Sequence, residues 1–182
     1  MFLNQANNFV LALLFLCLIV CKAAVVEDTV AQDIQCEVDN AALQAMYLST
    51  VSFTSDDDEN KVTKSVAVKT ADNNATRAAG FQRVCASTIA ETPILFLFDR
   101  PFVPSFHMNN VVAAIDIAFI DEHGKIESIQ AMQPYSVLLL DKPLYSPERP
   151  VIAALEVRPG FYSDNSLSVG DTVRWVTDET EE

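Results

Sequence analysis

Six side chains in the second half of the sequence are of types that do chemistry: His107, Met108, Asn109, Asn110, Asp116 and Glu156. The first four are consecutive. Asp116 follows them across the apolar stretch VVAAI. Histidine is the side chain whose charge changes near neutral pH, so His107 is a candidate proton carrier or ligand contact. A buried Asn or Asp must be hydrogen-bonded or it costs about 1–3 kcal/mol. Two readings therefore stand for Asn110 and Asp116. They tie loops to backbone amides, or they form the polar cluster of a ligand pocket with His107, Met108 and Asn109 at its mouth.

Sharper chemistries find less support. Paired-carboxylate hydrolysis would need Asp116 and Glu156 to meet in space, and nothing in their spacing predicts it. Met108 and His107 are of types copper takes. The two histidines and four cysteines show neither His-x-x-x-His nor Cys-x-x-Cys spacing. A serine hydrolase lacks its Gly-x-Ser-x-Gly, and Ser105 beside His107 is adjacency only. With four glycines in the chain, no phosphate-cradling loop is present. Asp56, Asp58 and Asn60 alternate as calcium ligands do, but the glycine and closing glutamate of a calcium loop are missing, so a solvated turn is the reading. No cofactor or metal is called for.

The elements that must position these side chains lie in a chain of 182 residues, half of them hydrophobic, with 12 basic and 25 acidic side chains and a formal charge of −13. The length suits one domain and an appendage. The acidic balance argues against nucleic acid as a partner, because phosphates would be repelled. Mean hydropathy is positive, and part of it sits in residues 9–21, FVLALLFLCLIVC. That run is short for a membrane span, which needs about 20 residues, and has the length of a signal-peptide core. Ala23 and Ala24 follow as small residues for cleavage, although no Lys or Arg precedes the run. An uncleaved anchor and a lipoprotein signal ending at Cys21 are the alternatives. All three place the remainder outside the cytoplasm. With residues 1–23 removed, 11 basic and 25 acidic groups remain. Two cysteines remain as well, Cys36 and Cys85. In an oxidising compartment they either pair across 49 positions or stay as buried thiols.

Residues 46–54 (MYLSTVSFT) and 62–70 (VTKSVAVKT) alternate and are rich in β-branched residues, a hairpin pattern around an acidic turn. Asn73 or Asn74 then stands as an N-cap for a helix over 75–86, weakened by Gly80. Asn74-Ala75-Thr76 also reads as a glycosylation sequon. Residues 94–98 form an apolar run, prolines at 101 and 104 turn the chain, and 111–120 reads as a buried strand or pair of strands. Further strands are predicted at 125–131, 137–140, 151–157 and 172–176. Many short strands and one short helix favour a mainly β sandwich- or barrel-like domain over a parallel α/β sheet.

Three segments resemble the domain-of-unknown-function 192 family. In ATRAAGFQRV, Arg77 and Gly80 match the family's opening helix, while Phe81, Gln82 and Val84 depart from it. In PILFLF, Leu95, Phe96 and Phe98 match, and Pro93 and Ile94 depart. In SFHMNNVVAAIDIAFIDEHGKI, Phe106, Met108, Asn110, Asp116, Phe119, Asp121 and Gly124 fall at matching spacing, with His107 and Asn109 as departures. Leu155-Glu156 with Gly160, and Val169-Gly170-Asp171, match the closing pattern. The resemblance covers about residues 62–176. It implies a single compact β-rich domain, and it implies no activity.

The expected organisation is a signal peptide over 1–23, an extension and first strand over 24–61, the β-domain over 62–176 and an acidic tail over 177–182. The expected function is that of a non-catalytic binding or accessory module of the cell envelope. It is placed in the bacterial periplasm or anchored at the inner membrane, with a small ligand or envelope component as partner. The alternative is a hydrolase acting on envelope polymers or small secreted compounds through Asp116, Glu156 and His107.

Overall fold

The computed structural model of the chain describes residues 35–55, 62–135 and 139–177. The expected signal peptide, the acidic turn at 56–60 and the first half of the predicted strand at 137–140 lie outside them, and Leu139 and Leu140 are not in a strand. Among the described residues four short helices and seven strands follow in the order α1 (Ala41–Ala45), β1 (Tyr47–Thr54), β2 (Val62–Ala71), α2 (Asn74–Ala79), α3 (Ala86–Glu91), β3 (Ile94–Phe102), β4 (Ile115–Ile120), β5 (Ile126–Met132), β6 (Val151–Val157), α4 (Phe161–Asp164) and β7 (Thr172–Thr177). The fold is mainly β, as the short alternating runs predict. The helix predicted over 75–86 forms only as α2, and α3 begins at its last residue. Gly80, at φ 47°, ends α2, and a new turn starts after Cys85. The other two helices are of four and five residues, too short to show a 3.6-residue period.

All seven strands form one sheet, ordered β5-β4-β6-β3-β2-β1-β7. Every pairing is antiparallel except β2 with β3, whose connection carries α2 and α3. The sheet curls until its edges meet. Lys125 at the start of β5 bridges Thr172 of β7, and Val173 N donates to Gly124 O at 2.7 Å.

Alternation sorts the side chains into two cores. The inner one joins residues from both edges, Ile126 and Val173, with Val51, Phe53, Leu95 and Leu155, so it fills the concave side. Phe161, Tyr162 and Leu167 close its end. The outer core lies on the opposite face of β3, β4 and β6, where Ile94, Phe96, Ile117, Phe119 and Ala154 are covered by Leu43, Phe81, Val84, Ile89 and Met108. β6 is buried on both faces and reads VIAALEV, apolar throughout except at Glu156. Val111 and Val112 belong to the outer core but not to a strand; β4 begins only at Ile115.

The closure depends on Gly124. Its φ is +76°, and a Cβ there would stand 2.9 Å from the Val173 carbonyl oxygen. The turn is otherwise held by Asp121, whose Oδ1 accepts from the backbone N–H groups of His123 and Lys125, both at 2.9 Å. Gly124→Ala is expected to lower the unfolding free energy by about 2 kcal/mol or more, from strained backbone and a displaced edge contact. Urea denaturation measures it, and a loss below about 0.5 kcal/mol would show that the edges do not need this approach.

Cys36 and Cys85 are joined by a disulfide with a Cα–Cα distance of 4.9 Å. Backbone bonds flank it, with Glu37 N donating to Arg83 O at 2.8 Å and Cys85 N donating to Glu37 O at 3.0 Å. The Asn40 side chain caps α1 by accepting from Leu43 N, and its amide donates to Gln82 O. The staple thus fixes the residues before α1 to the turn between α2 and α3.

Candidate functional site

A cavity of about 290 Å³ opens over the outer face where α2 meets β3. Each wall has a local cause. α2 starts in a capping box: Asn73 Oδ1 accepts from Ala75 N and Thr76 N, and Thr76 Oγ1 accepts from Asn73 N. Asn73 is therefore the cap, and Asn74 is an exposed first-turn residue. The helix ends at Gly80, whose bare Cα leaves room beside Phe96 and Glu156.

The second wall is β3. Its pairing with β6 runs regularly from Ile94 to Leu97 and resumes only at Phe102 opposite Val151. Pro101 has no N–H for the ladder, so the stretch between bulges outward. Phe98 and Phe102 meet across the bulge edge to face, with ring centres 4.8 Å apart. Arg77 clamps the start of the bulge: its guanidinium donates to Leu97 O at 2.7 Å, to Asp72 O at 2.6 Å and to Asn74 Oδ1 at 3.0 Å. The third wall is the loop before β4. Phe106 packs edge-on against Phe96 at 5.1 Å and against Phe119 at 5.7 Å.

Glu156 forms part of the cavity's lining. It sits on the central strand β6, opposite Ile94 of β3 and Ile117 of β4. It is 5% exposed. Among the described residues its side chain makes no hydrogen bond or ion pair, and its carboxyl is not among the fully enclosed unpaired groups, which are those of Glu127 and Ser128, so it reaches the cavity space. Burial alone pushes its carboxyl up to about 8, so at neutral pH it is mostly the uncharged acid.

The other candidates are dispersed. His107 is exposed at the cavity's rim, and its Nδ1 accepts from Asn109 N at 3.4 Å. Met108 is buried in the outer core. Asn109 Oδ1 accepts from Lys142 Nζ at 3.3 Å. Asn110 holds a left-handed turn, φ 56°; its carbonyl accepts from Arg83 N, and its amide donates to Gln82 Oε1. Asp116 is one register step from Glu156, since it pairs with Val157 while Glu156 pairs with Ile117. Successive strand residues leave on opposite faces, so the two carboxyls are on opposite sides of the sheet. Asp116 Oδ2 instead accepts from Gly160 N at 2.8 Å and fixes the start of α4. The paired-carboxylate arrangement of the alternative reading is therefore not formed, and Met108 is turned into the outer core while His107 is exposed. Among the described residues, no three His, Cys, Asp or Glu side chains gather as a metal site requires.

The DUF192 family model, described as Uncharacterized ACR, matches residues 55–175. The chain belongs to this family. The DUF192 match begins a few residues before the segment whose spacing resembled the family, and it takes in every wall of the cavity. Two solved structures share the DUF192 chain's fold. One, from Sinorhizobium meliloti 1021 and described as a candidate transcription regulator, has TM-score 0.60 and 21% identity, covering 71% of this chain and 95% of that one. The other, a protein of unknown function from Novosphingobium aromaticivorans DSM 12444, has TM-score 0.57 and 21% identity, covering 76% and 99%. At that identity the likeness concerns the fold alone. No curated protein matches significantly.

Proposed function

We propose that this DUF192 protein is a non-catalytic, exported binding module that takes a small ligand in the cavity over β3 and β6. One observation carries the reading: Glu156, a buried acid without a polar partner among the described residues, lies on an open cavity rather than in packed core. A carboxyl held at the lining of a cavity with no protein partner keeps its hydrogen-bonding capacity available to a ligand. Phe96, Phe98, Phe102 and Phe106 offer the apolar walls that small-molecule sites use. In this reading His107 contacts the ligand at the rim, while Met108, Asn109 and Asn110 shape the loop that carries it. Asp116 serves the scaffold.

Export rests on the apolar run at 9–21 and on the Cys36–Cys85 disulfide, since such bonds persist in oxidising compartments. No helix among the described residues is long and apolar enough to cross a membrane. Intact mass of the protein from its native host is expected to lack residues 1–23, and a full-length mass would sink the cleaved-signal part.

The binding site is tested by thermal shift against a small-molecule library. Hits that raise Tm in the parent should lose their effect in Gln82→Trp, which fills the rim, and keep it in Asp116→Ala. Hits indifferent to Gln82→Trp would place binding elsewhere.

A further inference from the structure

We infer that the ligand is an organic monocation, an ammonium on a small apolar body, whose charge pairs with Glu156 while the phenylalanine rings enclose the rest. The inference rests on the binding reading above and names its ligand class.

The lining carries an acid and aromatic faces, and none of its cationic groups reaches the acid. Burial is the cause of the raised Glu156 carboxyl, with no neighbouring charge lowering it. Arg77 lines the cavity too, but its donors are committed to two backbone carbonyls and Asn74, so it is not a free anion contact. Aromatic faces carry negative potential and attract a cation placed over them. The chain's excess of 25 acidic over 12 basic side chains adds a long-range pull on cations.

The exchange balances simply. The empty site holds Glu156 as the neutral acid. An entering ammonium stays protonated, the Glu156 proton leaves to solvent, and an ion pair forms in its place. Binding therefore releases about one proton per ligand at about pH 7 and tightens by up to about tenfold per pH unit from about pH 6 towards pH 8. Other ionisable groups near Glu156 are His107 and Arg77 in the cavity, and Tyr162 across the sheet, whose hydroxyl feels both Asp116 and Glu156. His107→Gln separates its contribution from that of Glu156.

The test titrates the full chain with benzylammonium, benzyl alcohol and benzoate by calorimetry, in two buffers of different ionisation enthalpy. Benzylammonium should bind at least about tenfold tighter than benzyl alcohol at about pH 8, with proton release that persists in His107→Gln. Glu156→Gln, which keeps the shape, should erase both the preference and the proton release while benzyl alcohol still binds. Equal or tighter binding of benzyl alcohol or benzoate overturns the cation assignment and leaves the cavity as a binding site. Binding by none of the three overturns both.

Discussion

Glu156→Gln should be more stable than the parent at neutral and alkaline pH, and the gap should widen steadily from acid to base. In the unfolded chain the carboxyl has its ordinary value of 4.5; in the folded chain burial pushes it up to about 8. A raised folded value means that the native state holds its proton more tightly. The stabilisation is complete below the unfolded value and is lost as pH rises through the folded one. Between about pH 4 and pH 9 the loss amounts to roughly 5 kcal/mol, from about 1.4 kcal/mol per pH unit of separation. Glutamine carries no charge to desolvate, so its stability lacks this component. Comparing variant with parent at each pH cancels the many exposed carboxylates common to both. Denaturant midpoints at about pH 4, 6 and 8 read the difference directly. A gap that stays constant across that range would mean that Glu156 is solvated in the native protein, and the cavity reading would lose its anchor.

The second large effect concerns the disulfide. Closing a loop of 49 positions restricts the unfolded chain by about 4 kcal/mol on the chain-entropy account. The double variant Cys36→Ser/Cys85→Ser is expected to lose about that much in urea denaturation. The loss should be felt at the site as well. The staple holds the segment around Glu37 against Arg83 and Cys85, and Gln82 in that turn is both a cavity residue and the partner of Asn40 and Asn110. Ligands found by thermal shift should therefore bind the reduced protein more weakly. If the variant stays within about 1 kcal/mol of the parent, the unfolded chain must already keep these segments together.

What the sequence disclosed follows from how local each cause is. β6 is legible to the residue because a doubly buried strand is an unbroken apolar run, and β1 and β2 because one face of each alternates. The start of β4 is not. Val111 and Val112 are apolar because they pack into the outer core, and burial alone does not reveal that their backbone is irregular rather than a strand. The helix predicted over 75–86 stops at Ala79 because Gly80 takes a φ of 47°, a left-handed conformation that its missing Cβ permits.

The candidate site was legible only in pieces. Arg77, Gly80, Phe96, Phe98 and Glu156 each stood out in a motif. The parallel β2–β3 crossover and the bulge around Pro101 gather them, and both are long-range outcomes. One signal was available early. Glu156 is the one charged residue in an otherwise continuous apolar strand, and a charge there demands a partner or a proton. Asp116 looked equivalent by type, but a single step of register sends it to the other face.

The pairing of β1 with β7 also imposes a schedule on the nascent chain. β1 and β2 can zip together as soon as both have emerged, but β1's second edge waits for Thr172–Thr177, about a hundred positions after β2 ends. Until then the hairpin shows an unpaired strand carrying Val51 and Phe53 on one side and exposed Leu48 on the other. Open edges of this kind recruit other strands, and non-local closure is slow. The final strand thus works as a clasp. The interval before it closes is when the young polypeptide is most prone to pair with its neighbours, and most in need of a chaperone's cover.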